Sequence, residues 1–298
     1  MPELAAIIAR LEPELGPLEG DPQPLEGGIT NRNYRLRMGG EDLVLRLCDH
    51  GAEVLGIDRT TEEIASRRAA AERIAPAVVA FLSDVPALVT RWLPGGGLTP
   101  EQVRSPDVMG QVAALLRRLH ATPALPTAFA VFRLVEDQRG LATAVPDSYD
   151  AILALSHRIE GALTGPEHVP VSCHNDLLTA NFVRDGARVC IVDWEYAGMN
   201  NRYFDLGNLS VNNGFEADAD RALLELYFEE AVTERRFATL QLMRVISDFR
   251  EAMWGVVQHG RSTLDFDYVA YAAEHFDRLE RAAADPRMEE WLAVAATA

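Results

Sequence analysis

The chain has 298 residues, 28 basic side chains against 45 acidic ones, a formal net charge of -17 and 48% hydrophobic residues. Every basic residue is arginine, which excludes lysine Schiff-base chemistry and a Walker-type phosphate loop, since both need a lysine. The negative charge opposes binding to nucleic acid or anionic lipid and favours a small cationic partner.

From residue 3 to 15 apolar and charged residues recur at helical spacing and stop at Gly16-Pro17, which predicts an opening helix. Its acids are unlike a signal peptide, and no run of about 18 uncharged apolar residues occurs, so the expected location is the cytoplasm without membrane insertion. Residues 24–30, PLEGGIT, read as a strand and glycine turn leading into a hairpin of 33–38 and 42–48 about Gly39-Gly40. A helix is expected over 57–74, ended by Pro76, and two strands over 77–82 and 87–93. Pro94-Gly95-Gly96-Gly97 is the strongest linker signal and sets a boundary between residues 93 and 94. Beyond it come an amphipathic helix over 107–120, a β segment between about 170 and 194, and helices from 219 onward. The expected class is therefore α+β, with an antiparallel-sheet unit at 1–93 and a larger, mainly helical unit at 94–298. Cys48, Cys173 and Cys190 show no metal-ligand spacing and read as small buried hydrophobes in a reducing compartment.

The densest polar cluster in an apolar setting is VSCHNDLLTANFVRDGARVCIVDWEYAG, residues 171–198. Within it, 182–184 and 189–192 read as strands joined by Asp185-Gly186-Ala187-Arg188, and a symmetric register places Asn181 opposite Asp193. An amide oxygen and a carboxylate at the open end of a hairpin are hard ligands suited to a Mg²⁺ that also binds phosphate oxygens. Asp176 lies five residues before Asn181, within reach of the pair, where it can orient or deprotonate an attacking hydroxyl. The plainer reading is that these residues cap turns, the common task of Asn and Asp in loops.

HNDLLTANF and IVDWEYAGMNNRYFDLGN, residues 174–182 and 191–208, resemble the choline/ethanolamine kinase family, which shares a two-lobed protein-kinase-like fold with aminoglycoside phosphotransferases. The resemblance implies ATP and Mg²⁺ as cofactors, Asp176 as the catalytic carboxylate, and Asn181 and Asp193 as metal ligands. It implies that His174 packs beneath the metal loop and that Asp205 bonds the loop backbone rather than a metal. GGITNRNYRL, residues 27–36, resembles the family's phosphate loop and brings Gly28, Thr30, Asn31 and Asn33 to the nucleotide. Arg46 stands where related kinases carry a lysine on the α- and β-phosphates. Its acidic partner is Glu62 or Glu63, and the resemblance implies Glu62, since the family pattern places its glutamate three residues after an arginine, as in Arg59-Thr60-Thr61-Glu62. ALVTRWLPG, residues 87–95, resembles the hinge that reads the adenine edge through the backbone of Thr90, Arg91, Trp92 and Leu93.

A quaternary ammonium is best held by aromatic faces. Residues 247–258 and 266–272 resemble the helices that supply them, which assigns Trp254 and Tyr271 to the acceptor, with Tyr268 behind. Where the family has a second tryptophan this chain has Glu251, and where it has a pocket glutamate this chain has Asn212. The box is incomplete, so choline, ethanolamine and other amino alcohols all stay open as acceptors. An aminoglycoside- or thiamine-like amine and a catalytically silent nucleotide-binding sensor are the remaining readings.

Overall fold

The computed structural model describes residues 2–25, 31–47, 55–85, 87–262 and 264–297; Gly28, Thr30 and Cys48 lie outside them. The strands β1 (Gln23–Leu25), β2 (Arg32–Met38), β3 (Glu41–Leu47), β4 (Val78–Leu82) and β5 (Ala87–Arg91) form one antiparallel sheet in the order β1-β2-β3-β5-β4. Leu36 and Met38 of β2, with Leu43, Leu45 and Leu47 of β3, alternate onto one face, as a half-buried pleat requires. They are covered by Ile7, Ile8 and Leu11 of the helix α1 (Pro2–Leu15). Met38 pairs with Glu41, leaving Gly39 and Gly40 as a two-residue turn with φ of 54° and 82°, a conformation glycine adopts without a Cβ clash.

Helix α2 (Arg59–Ala71) is shorter than the 57–74 span expected from periodicity. Asp58 sets its start by accepting from Thr61 N at 2.7 Å, and Arg73, at φ 59°, turns the chain out of it. Ala65 and Ala69 of α2 join the hydrophobic cluster of the C-terminal helices and not that of the sheet. The segment after β5, expected as a linker, is zipped onto a strand from the far side, β7 (Phe182–Asp185). Arg184 N donates to Gly96 O and Leu98 N to Phe182 O, each at 2.9 Å. A Cβ on Gly95 would fall 2.5 Å from the Arg184 carbonyl oxygen, so glycine is what permits this approach.

The remainder is helical: α3 (Pro100–Val103), α4 (Pro106–His120), α5 (Val131–Arg139), α6 (Tyr149–Ala162), α7 (Arg202–Asn212), α8 (Ala217–Phe228), α9 (Glu234–His259), α10 (Tyr268–Ala283) and α11 (Met288–Ala295). Two short ladders interrupt it, β6 (Val171–Cys173) with β9 (Gly198–Asn200), and β7 with β8 (Arg188–Ile191). Helix α9 is the axis, buried on all faces over most of its 26 residues because α5, α7, α10 and α11 pack around it. Gly207 lets α7 approach α9; a Cβ there would lie 2.8 Å from Met243 C and 2.9 Å from Arg244 N, backbone atoms that cannot rotate away. Gly207→Ala is accordingly expected to lower stability by about 2 kcal/mol, read as a lower urea midpoint at unchanged m-value. No helix among the described residues is long and apolar enough to cross a membrane.

Candidate active site

The loop after β6 is shaped by Asp205 in the first turn of α7. Its carboxylate accepts from His174 N at 2.9 Å, from Asn175 N at 2.7 Å and from His120 Nε2 at 3.0 Å. Burial opposes its ionisation, yet these donors, His120 foremost, hold the Asp205 carboxyl below its ordinary range. This is the backbone-bonding task expected of it. The ligand-type atoms of His120, Cys173 and Asp205 lie close together, but they are already bonded, Cys173 Sγ to Asn200 O at 3.5 Å and His120 Nδ1 to Tyr227 OH at 2.6 Å.

His174 packs edge-on to Trp194 with ring centroids 4.6 Å apart. Its Nε2 donates to Val192 O at 3.0 Å and its Nδ1 accepts from Asp176 N at 3.2 Å, so the ring ties the two halves of the loop as a neutral imidazole. Burial lowers its pKa from 6.5 to about 4. Below pH 6.5 the unfolded chain takes up a proton that the folded one refuses until about pH 4, so stability is present above this window and lost as pH falls through it. The loss should approach about 3 kcal/mol in urea titrations, and His174→Gln should remove that part of the slope.

The hairpin register differs by one residue from the expected one. Phe182 pairs with Ile191 and Asp185 with Arg188, so the turn is the two-residue Gly186-Ala187, with Gly186 at φ 62°. Asn181 therefore faces Val192, whose N–H it accepts at 2.9 Å, and Asp193 lies one residue further on, turned aside at φ 64°. The three expected residues still converge. Asn181 Nδ2 donates to Asp176 O at 2.8 Å and to Asp176 Oδ2 at 3.2 Å, which leaves the amide oxygen and the Asp193 carboxylate as hard donors of the type a Mg²⁺ takes. Asp176 is buried, and this chiefly drives its pKa well above the ordinary value; Arg250 opposes the rise, while Glu251, Asp193 and Glu195 add to it.

On the sheet side, Arg46 of β3 bridges Glu62 and Asp193. Glu62 is completely buried, whereas Glu63 pairs with Arg67 at 2.9 Å on the outer face of α2. Arg59 joins Glu62 at 2.7 Å to Glu195 at 3.3 Å, and Asn31 Nδ2 donates to the same Glu195 oxygen at 3.1 Å. Asn31 is thus bonded to a buried acid. Glu195, in Asp193-Trp194-Glu195, went unassigned in the sequence; its signal is an acid in an otherwise apolar run. Burial, then Asp193, raises its carboxyl.

A cavity of about 440 Å³ opens between sheet and hairpin, lined by Asn33, Arg46, Asn181 and Asp193 at its polar end and by Val44, Val78 and Leu88 elsewhere. Thr90, Arg91, Trp92 and Leu93 all border it. Two of their N–H groups serve the sheet instead, Arg91 N to Ala77 O and Trp92 N to Asp42 O, both at 3.0 Å. Among the described residues Leu93 N–H has no hydrogen-bond partner, which leaves it as a backbone donor at the cavity edge.

On the opposite side of Asp176, the structure brings together Glu251, Trp254 and Tyr271. Tyr271 OH donates to Glu251 Oε2 at 2.9 Å, and Trp254 meets Tyr271 and Tyr268 edge-on at 5.5 and 5.7 Å. Asn212 is bonded elsewhere, to Arg278 at 3.5 Å beside Asp248. The α7 residue that reaches the group is Asn208, one turn earlier, with Nδ2 2.9 Å from Ser247 Oγ and 3.5 Å from Glu251. Arg250 was also missed: its Nη1 lies 2.7 Å from Glu251 Oε1 and 3.3 Å from Asp176 Oδ1. The sequence signal was the run of charges Asp248, Arg250 and Glu251 inside an apolar helix.

A buried carboxylate beside a cavity of nucleotide size, with an arginine on a sheet and oxygen donors on a hairpin lining that cavity, defines a phosphotransferase of the protein-kinase-like class. Residues 21–240 match the model of the phosphotransferase enzyme family. Ethanolamine kinase 2 of Mus musculus is 28% identical, over 93% of this chain and 80% of its own. A choline/ethanolamine kinase family protein from Mesorhizobium loti superposes with a TM-score of 0.85 at 28% identity, covering 98% of this chain and 99% of that one. The choline kinase LicA from Streptococcus pneumoniae shares the fold, with a TM-score of 0.82 at 20% identity over 95% and 99%. The chain belongs to the phosphotransferase enzyme family, and within it to the choline/ethanolamine kinase family.

Proposed function

We propose that the protein transfers the γ-phosphoryl group of ATP to the hydroxyl of a small amino alcohol in the cytoplasm, choline or ethanolamine being the acceptors its relatives' names suggest. The observation that carries this reading is the meeting of Asn181 and Asp193 with Arg46 at the polar end of the cavity, with Asp176 bonded to Asn181 just beyond it. The adenine would lie near Leu93, with Arg46, steadied by Glu62, on the phosphates. Asn181 and Asp193 would hold Mg²⁺, which supplies neutralisation of charge on the transferred group. Asp176 would accept the acceptor's hydroxyl hydrogen bond and then its proton, while Asn181 keeps its carboxylate aligned. The two lobes would meet between residues 93 and 94.

The test is ADP formation with ATP and Mg²⁺ across choline, ethanolamine, related amino alcohols and aminoglycosides. Turnover with the small amino alcohols supports the reading. Turnover with aminoglycosides alone shifts the acceptor class, and nucleotide binding without transfer to any acceptor points to a sensor.

A further inference from the structure

The acceptor side of Asp176 already contains a cation. Arg250 is buried, with a side-chain exposure of 2%. Its guanidinium lies 4.1 Å from the ring centre of Tyr196, and its Nη1 bridges the carboxylates of Asp176 and Glu251. An aromatic face flanked by two acids is the environment that holds a quaternary ammonium. The neighbouring rings are turned toward one another: Trp254, Tyr268, Tyr271 and Phe266 contact edge-on at 4.9 to 5.8 Å, and the Trp254 indole N–H donates to Tyr196 OH at 2.8 Å.

We propose that Arg250 is a specificity-determining residue: it fills the aromatic and carboxylate cage with the protein's own cation, so that the acceptor must be an amine that retains N–H donors. This rests on the phosphotransfer reading above. A trimethylated nitrogen cannot donate a hydrogen bond and depends on aromatic faces, and the Tyr196 face is taken. A protonated primary amine donates to oxygen, and the site offers the Glu251 carboxylate and the Tyr271 hydroxyl. Two acids, Asp176 and Glu251, against one guanidinium leave a single negative charge for the incoming ammonium. Arg250 Nη2 is buried without a hydrogen-bond partner, a donor left for an oxygen of the acceptor.

The experiment measures kcat/KM for ethanolamine, its N-methyl and N,N-dimethyl derivatives, and choline. The wild-type protein should lose about tenfold or more between the first and the last. A double variant, Arg250→Met with Glu251→Gln, removes the cation together with its acidic partner and should collapse that ratio, whereas Arg250→Lys should keep it. Equal kcat/KM for choline and ethanolamine in the wild type would overturn the inference while leaving the kinase reading intact. A ratio unchanged in a folded double variant, or lost in Arg250→Lys, would remove Arg250 from the explanation. The absence of ADP formation with all four amines counts against the small-amino-alcohol reading on which the inference rests.

Discussion

Asp176→Asn should lower kcat by about 10³-fold while leaving ATP affinity within a few-fold, measured by coupled ADP release and by nucleotide titration. The asparagine keeps the shape, and although its single oxygen can accept from only one of Asn181 Nδ2 and Arg250 Nη1, which reach separate carboxylate oxygens, Asn181 Nδ2 keeps its 2.8 Å bond to the backbone carbonyl of residue 176 and holds the loop. What it loses is the capacity to take a proton. Arg250 retains Glu251 as its partner at 2.7 Å, which spares the variant an uncompensated buried cation. Asp176 also does not border the 440 Å³ cavity, so the nucleotide should not register the change. A large rise in nucleotide Kd would instead assign Asp176 to binding.

The same residue sets the acid side of the pH profile. Burial raises its pKa, and the reactive form is the carboxylate, so activity should fall as pH drops through a value above the ordinary carboxylate range. Arg250 is the cation that opposes this rise. Its replacement by methionine should therefore move the acid limb upward, a shift that a general loss of stability does not produce.

The residues legible beforehand were those whose meaning is local. The turn at Gly39-Gly40 could be read because two adjacent glycines between alternating strands point to positive φ. Asp176 and Asn181 sit on one loop five residues apart, so their spacing constrains their meeting. The hairpin register failed by one residue because Asp185 and Arg188 pair across the turn, a choice that loop composition does not decide. Arg250 stayed hidden for two reasons. Helix α9 is buried on every face, which erases the polar stripe that would mark an inward charge, and its contact with Asp176 spans 74 residues. Asn208 and Asn212 lie one turn apart on α7, and which of them reaches Glu251 depends on how α7 crosses α9 at Gly207.

The other large effect is expected at Asp193. Asp193→Asn should reduce kcat by about 100-fold or more and raise the Mg²⁺ concentration needed for half-maximal activity. Its effect on nucleotide binding without Mg²⁺ should run the other way. Asp193 places a carboxylate at the polar end of the cavity and pairs with Arg46, so it both repels phosphate and engages the side chain expected to contact it. With asparagine there, Glu62 still holds Arg46 in place, and metal-free ATP should bind as tightly as before or more tightly. Opposite signs for the metal-free and metal-dependent measurements separate a metal ligand from a residue that only positions Arg46. A purely positional role would weaken nucleotide binding with and without Mg²⁺ alike and leave the Mg²⁺ midpoint where it was.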